Sequence, residues 1–294
     1  MNLFDPSKVN VPFMKYRIIA VSFSVIFILA SFVSLFVRGI NLSVDFTGGI
    51  DIQVKLIAPA AIDVIRQALN DGGFTQAAIQ IYDEGSISIR YQESDEETQN
   101  AIVKIMEDRF GKVTVEKIDK VGPVVGKELR KQTQIAVTLA ILGMLAYMAV
   151  RFTFRFGVAA VLALVHDSIV MVGSYSLTGR EVGPWFIAAV LTIIGISLND
   201  TIVILDRVRE NWPQLNKVGI VDLMNNSINQ TLSRTVNTAL LTLFPVLAMY
   251  FLGVEVMSNL AFAFLIGTIF GTYSSFFVTT TVVVEWYLRK PQRR

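Results

Sequence analysis

The chain contains no cysteine and one histidine, His166. The first absence excludes disulfide cross-links, thiol nucleophiles and thiolate-bound metal. The second excludes a multi-histidine metal centre. Charge is also scarce: of 294 residues 17% are charged and 53% hydrophobic, with a mean hydropathy of +0.54. A soluble domain of this length carries about 25% charged residues, so the composition is that of an integral membrane protein. No pattern for binding a metal, an organic cofactor or nucleic acid stands out. The net charge of +2 has no meaning until it is divided among loops, because orientation follows local Lys and Arg bias.

What is present is a series of apolar runs. Residues 18–37 form an uncharged stretch after Lys15 and Arg17 and before Arg38. At ~1.5 Å per residue, roughly 20 helical residues span a bilayer core. This run is too long for the core of a signal peptide and reads as an uncleaved first span. Five more runs follow at about 134–150, 156–177, 185–205, 235–252 and 257–284. Their flanks carry thirteen basic residues on one side: Lys8, Lys15 and Arg17; Arg151 and Arg155; Arg207, Arg209, Lys217 and Arg234; Arg289, Lys290, Arg293 and Arg294. The two short loops on the other side carry only Arg180. Both termini are expected in the cytoplasm, and the segment between the first two spans outside it.

That segment, about residues 41–129, has the composition of a soluble domain. Residues 41–57 read as a strand around Gly48-Gly49, and 58–69 as a helix with Pro59 in its first turn. Ile79 and Ile81, then Ile87, Ile89 and Tyr91, alternate with polar residues around a turn at 83–86, which is a hairpin pattern. Ser94 and Glu97 form a capping box for a helix closed by Gly111, and Val113 and Val115 begin a last strand. The order β-α-β-β-α-β predicts a ferredoxin-like unit. Its carboxylates Asp63, Asp95, Glu96, Glu97 and Asp108 fall on helix faces or caps, so the domain reads as a binding module. The expected fold is an α-helical membrane protein of six transmembrane helices with an extracytoplasmic α+β ferredoxin-like domain between the first and second. Its divisions are residues 1–38 (N-terminus and first span), 39–130 (external domain) and 131–294 (five spans, a cytoplasmic loop at 206–234 and a C-terminal tail). Within the loop, Val218, Val221, Leu223, Met224, Ile228 and Leu232 recur at helical spacing, which suits either a helix lying in the membrane interface or a helical linker packed on the bundle ends.

Polar residues inside apolar runs carry the functional signal. Asp200 lies about 10 Å inside the cytoplasmic end of its span at the helical rise, and a carboxylate at that depth is costly enough to mark a function. Burial favours its neutral acid and a nearby guanidinium the anion, so such a group suits proton uptake and release. Arg234, which opens the following span beside Thr231, Thr235, Thr238, Thr242 and Asn237, is the expected partner. His166 and Asp167 lie near the middle of the third span and are further candidates for a proton path. Asp206, Arg207, Arg209 and Glu210 read as the solvated end of the fourth span. Gly267, Gly271 and Ser275 form a small-xxx-small stripe that permits close helix approach.

The run from Gly195 through Asn199, Asp200, Thr201 and Val203 to Asp206-Arg207-Val208-Arg209-Glu210 closely resembles the fourth-span signature of the SecD/SecF family of bacterial protein-export membrane subunits. Val44-Asp45-Phe46-Thr47-Gly48-Gly49, His166-Asp167 and Leu232-Ser233-Arg234-Thr235 agree in the same order; Ile196 stands where many relatives carry an aromatic residue. The resemblance is to the SecF side of the family. It implies one half of a resistance-nodulation-division type transporter in the bacterial cytoplasmic (inner) membrane, paired with the six-span half SecD. It further implies partners in the SecYEG channel, in YajC, in preprotein driven by SecA and in membrane lipid. The implied energy source is the proton motive force, with Asp200 as the proton-carrying carboxylate, Arg234 as its charge partner, and Asn199 and Thr201 flanking it. Asp45, Phe46, Gly48 and Gly49 are implied as a structural motif. Two other readings are weighed against this one. A homodimer could export a small amphiphile, as other members of that superfamily do. An intramembrane aspartyl hydrolase could use Asp167 and Asp200, but such a dyad must share a proton, and the two are offset by about 5 Å in depth at the helical rise.

Overall fold

The computed structural model describes residues 10–58, 60–83, 86–93, 95–253 and 255–289. These divide into two compact units, residues 42–136 and the rest of the chain on either side.

The smaller unit holds a four-stranded antiparallel sheet in the order β2-β3-β1-β4, from β1 (Gly49–Lys55), β2 (Ala78–Asp83), β3 (Ser86–Tyr91) and β4 (Thr114–Val121). Helix α3 (Ile62–Asp71) follows β1 and α4 (Glu96–Phe110) follows β3. β1 is central and alternates, so Ile50, Ile52 and Val54 face a core completed by Ile87 and Ile89 of β3, Ile65 and Leu69 of α3, and Ile102 and Met106 of α4. On the opposite face of β1, Asp51 is buried and accepts a 2.6 Å hydrogen bond from Ser88. Desolvation holds the Asp51 carboxyl above the usual carboxylate range, against the opposing pull of Ser88 and Arg90.

Three local expectations change here. The segment before β1 is helical: α2 (Val44–Thr47) makes one turn, and the strand begins only at Gly49. Gly48 has φ +75° and Gly49 φ +116°, so α2 ends in a conformation that L side chains rarely adopt. A Cβ on Gly49 would also lie 2.2 Å from the Tyr91 carbonyl oxygen. Helix α3 begins at Ile62 rather than at 58, and Pro59 lies outside the described residues, as does Ser94. The cap of α4 is Asp95, whose carboxylate accepts from Thr98 N–H at 3.0 Å; hydrogen bonding to the Thr98 side chain, and then to its N–H, favours the ionised form and lowers the pKa.

The larger unit is a helical membrane protein. Among the described residues five helical segments are long and apolar enough to cross a bilayer, at Phe13–Arg38, Pro123–Arg151, Phe154–Thr178, Pro184–Leu252 and Met257–Arg289. They contain α1 (Arg17–Arg38), α5 (Pro123–Arg151), α6 (Phe154–Thr178), α7 (Pro184–Asn211), α8 (Leu215–Leu252), α9 (Glu255–Ser274) and α10 (Thr280–Arg289). The fourth segment joins α7 and α8 through a 3-10 turn, Trp212–Gln214, and the two helices pack on one another. The loop expected at 206–234 is therefore helical almost throughout, broken at Gly219 with φ +79°. Its apolar residues Ile220, Leu223, Met224 and Ile228 are buried against Leu205 and Val208 of α7 and against Phe13 and Met14, which selects the packed linker over a helix lying free in the interface. The second apolar run, expected at 134–150, belongs to a helix that starts at Pro123.

Helix α1 is built inside out relative to a soluble helix. Its buried residues are Ala20, Ser24, Ser31 and Ser34, while Ile18, Ile26, Phe36 and Val37 are exposed. In lipid, small residues let backbones approach and large apolar ones face hydrocarbon. The approach is close: a Cβ on Gly173 of α6 would lie 2.7 Å from the Ser31 Cα, and Ser34 and Ser176 hydroxyls meet at 2.8 Å.

Candidate functional site

Helix α7 begins with Pro184 after an extended Gly183, a favourable first-turn proline, and carries no charge until Asp200. Its buried face holds Ser197, Asp200, Thr201, Ile204, Leu205 and Val208. Asp200 is 4% exposed and makes no hydrogen bond or ion pair among the described residues. The charge that acts on it is Arg234 of α8. Arg234 is itself exposed and lines a polar cleft of about 260 Å³ with Asp206, Arg207, Glu210, Gln230 and Thr231. Carboxylate and guanidinium thus act on each other without touching, with the cleft beginning on the next turns of α7. Asn199 is on the exposed side of the helix, and Thr201 is buried with its hydroxyl 2.9 Å from that of Ser275.

Asp167 is the most completely enclosed acid of the bundle, at 0% exposure. Its Oδ2 accepts from Ser197 of α7 at 2.7 Å and from Ser274 of α9 at 2.8 Å. Its Oδ1 lies 2.9 Å from Nδ1 of His166, so either the imidazole donates or a protonated carboxyl does. The other imidazole nitrogen, Nε2, is buried without a partner. Three helices therefore converge on one carboxyl group, and Ser197, one helical turn before Asp200, connects the two acids' surroundings. No hydrogen bond joins Asp167 to Asp200 among the described residues, and both oxygens of Asp167 are engaged by other partners.

The stripe Gly267, Gly271 and Ser275 packs within the chain. A Cβ on Gly267 would lie 2.6 Å from Ile193 Cγ2, and one on Gly271 3.0 Å from Ser197 Cβ. The same helix α9, close against α7, ends in Ser274, which reaches Asp167 of α6. Directly afterwards the helix widens into a π turn, Ser275–Thr279, before α10, a distortion frequent at functional positions. Ser275 donates to the Gly271 carbonyl at 2.9 Å, and the hydroxyl of Thr279 inside the turn is buried and unpaired.

On α8 the threonine face is turned mostly onto its own helix: Thr231, Thr238 and Thr242 donate to the carbonyls of Ser227, Arg234 and Thr238. Only Thr235 Oγ1, with Ser233 Oγ and Asn237 Oδ1, is buried without a partner. Of the cluster at the end of α7, Asp206 pairs with Arg151 at 2.7 Å and Arg207 with Glu210 at 2.7 Å. Asp45 accepts from Ser43 at 3.3 Å, and Phe46 is buried beside the Gly48-Gly49 turn.

These features define a class: a polytopic membrane protein with ionisable groups buried where helices cross. Residues 101–289 match the family model described as protein export membrane protein SecD/SecF, C-terminal, and residues 33–56 match the SecD/SecF GG motif. Protein translocase subunit SecF of Desulfurispirillum indicum is 40% identical over 287 residues, covering 94% of this chain and 91% of that protein. Protein translocase subunit SecDF of Thermus thermophilus is 39% identical over 263 residues, 87% of this chain and 36% of that longer one. The crystal structure of SecDF from Thermus thermophilus, titled a translocon-associated membrane protein, superposes with a TM-score of 0.87 at 36% identity over 96% of this chain and 39% of that chain. The chain belongs to the SecD/SecF family of protein-export membrane proteins, on its SecF side.

Proposed function

We propose that this chain is the SecF-type half of a membrane unit that assists preprotein translocation through the Sec channel, acts with SecD and draws on the proton motive force. Family membership supports the translocation role, and the relatives that carry this sequence within a longer SecDF chain support the pairing. The observation that carries proton coupling is Asp200, buried in an apolar helix with no hydrogen-bond partner among the described residues and with Arg234 as the charge that acts on it. Proton arrival at Asp200 would cancel its attraction to Arg234 and shift α8 against α7. Thr201, Asp167 and His166 extend the polar connection into the bundle, and Asn199 faces outward for the partner half. The coupling ion is the proton, with no other cofactor.

The same reading has six spans, because α7 and α8 pack side by side and together run far beyond a single bilayer crossing of ~20 residues. It divides the chain at 1–38, 39–130 and 131–294, places both termini in the cytoplasm and seats the protein in the cytoplasmic (inner) membrane. The external domain is ferredoxin-like, which its sheet order and two crossover helices support, and it works on the emerging preprotein. SecYEG, YajC and the SecA-driven preprotein are its further partners. Asp200→Asn tests the central claim: the complex still assembles, and the part of export that depends on the proton gradient is lost. Full gradient-dependent export by that variant, in cells without the wild-type protein, would overturn it.

A further inference from the structure

A second cavity lies apart from the Asp200 surroundings. It has a volume of about 440 Å³ and sits where the C-terminal ends of α5, α7 and α10 meet the start of α6. Three guanidinium groups line it, from Arg151, Arg155 and Arg209, and no carboxylate does. Arg151 is paired outside the lining with Asp206. Arg155 and Arg209 have no acidic partner among the described residues, and Arg155 Nη1 is buried without any hydrogen-bond acceptor. A buried guanidinium N–H without an acceptor is costly, and two uncompensated cations facing one hollow repel each other unless an anion sits between them.

The rest of the wall is aromatic. Trp212 stacks edge-on to Phe156 and to Tyr287, with centroids 5.7 and 5.5 Å apart, and the Arg155 guanidinium lies 5.8 Å from the Tyr287 ring centre. Tryptophan and tyrosine at the end of a membrane helix mark the depth of lipid headgroups. Val150 in the cavity wall is 90% exposed, which offers an occupant's apolar part a route out along that side of α5.

We infer that this cavity is a binding site for the phosphate headgroup of an anionic membrane phospholipid, held by Arg155 and Arg209 with its acyl chains running past Val150. Planar guanidinium groups suit phosphate oxygens, which accept paired N–H donors. An apolar exit is what distinguishes a lipid from a free phosphate. The inference stands independently of proton coupling at Asp200.

The test uses the full-length protein purified in detergent with its partner, and counts bound lipid by native mass spectrometry. Dioleoyl-phosphatidylglycerol is titrated against dioleoyl-phosphatidylcholine and against inorganic phosphate. Phosphatidylglycerol is expected to bind at least about fivefold more tightly than phosphatidylcholine, from the contribution of one arginine near a membrane surface. Arg155→Gln and Arg209→Gln should each reduce its binding by a similar factor, whereas Lys217→Gln, which removes an exposed charge that does not line the cavity, should leave it unchanged. Arg155→Lys, which keeps charge but loses the planar fork, should fall between. Equal binding of the two lipids overturns the inference, as does unchanged phosphatidylglycerol binding in both glutamine variants. Inorganic phosphate competing at equal concentration overturns the lipid as the source of the anion.

Discussion

A buried carboxyl group with both oxygens engaged behaves differently from one left bare, and the two intramembrane acids represent these two conditions. Asp167 is fixed by Ser197, Ser274 and His166. Asp167→Asn keeps one acceptor and adds donors that the serine hydroxyls meet by rotating, so it should cost less than about 1 kcal/mol. Asp167→Ala leaves hydroxyls buried without an acceptor and should cost about 2 to 4 kcal/mol; thermal unfolding of the purified protein distinguishes the two. The burial of Asp200 within its helix was legible in the sequence, because one acid in a long apolar run stands out. The shell of Asp167 was not, since its donors lie 30 and 107 positions away and serine in a membrane helix is usually satisfied by its own backbone. The weak signal was Ser274-Ser275 following the glycine stripe at helical spacing.

At the scale of elements, local alternation was a sound guide where both faces of a strand had distinct fates. Residues 79–91 form the expected hairpin strands because one face meets the helices. Alternation misled at 44–47, where Val44 and Phe46 are both buried from within a helical turn, and the left-handed glycines that end it decide the conformation. The cap of α4 fell one residue from its expected place because Asp95 serves the same purpose as Ser94 would. Two consequences can be measured. Asp51 has a raised pKa in the folded sheet, so the folded domain holds its proton more tightly than the unfolded chain. That stabilises it at pH below the unfolded value of about 3.9 and is lost as pH rises through the folded value. Hydrogen exchange of the β1 amides in the intact protein, corrected for intrinsic rate, should show protection falling as pH rises from about 4 toward neutrality, and Asp51→Asn, which keeps an acceptor for Ser88, should flatten that fall. In the bundle, Gly173→Ala drives a methyl group into the Ser31 backbone and should cost about 1 to 3 kcal/mol by overpacking, read as a lower unfolding temperature.

For the molecule as a whole, the positions of the apolar runs were readable from composition, while helix lengths were not, because α5 and α8 extend through polar residues that no hydropathy window includes. The proposed six spans with both termini inside make a simple forecast, aided by the lack of cysteine. A thiol introduced as Lys104→Cys, exposed on α4, should react with an impermeant maleimide added outside intact cells. One introduced as Lys217→Cys should react only after the membrane is opened. Outside labelling at residue 217 would mean that the α7–α8 segment turns on the other face.

The N-terminal segment adds a consequence in time rather than in space. Asn229 of α8 donates to the Val11 carbonyl at 3.0 Å and accepts its N–H at 2.8 Å, across 218 positions of sequence. At ~5–20 residues synthesised per second, some ~10–40 s separate the appearance of these two partners at the ribosome. Through that interval the first helix already has nearer partners, Ser34 meeting Ser176 of α6 at 2.8 Å. The amide clasp is therefore a late tie on the N-terminal segment, and the pairing of Arg17 with Glu285 at 3.2 Å comes later still.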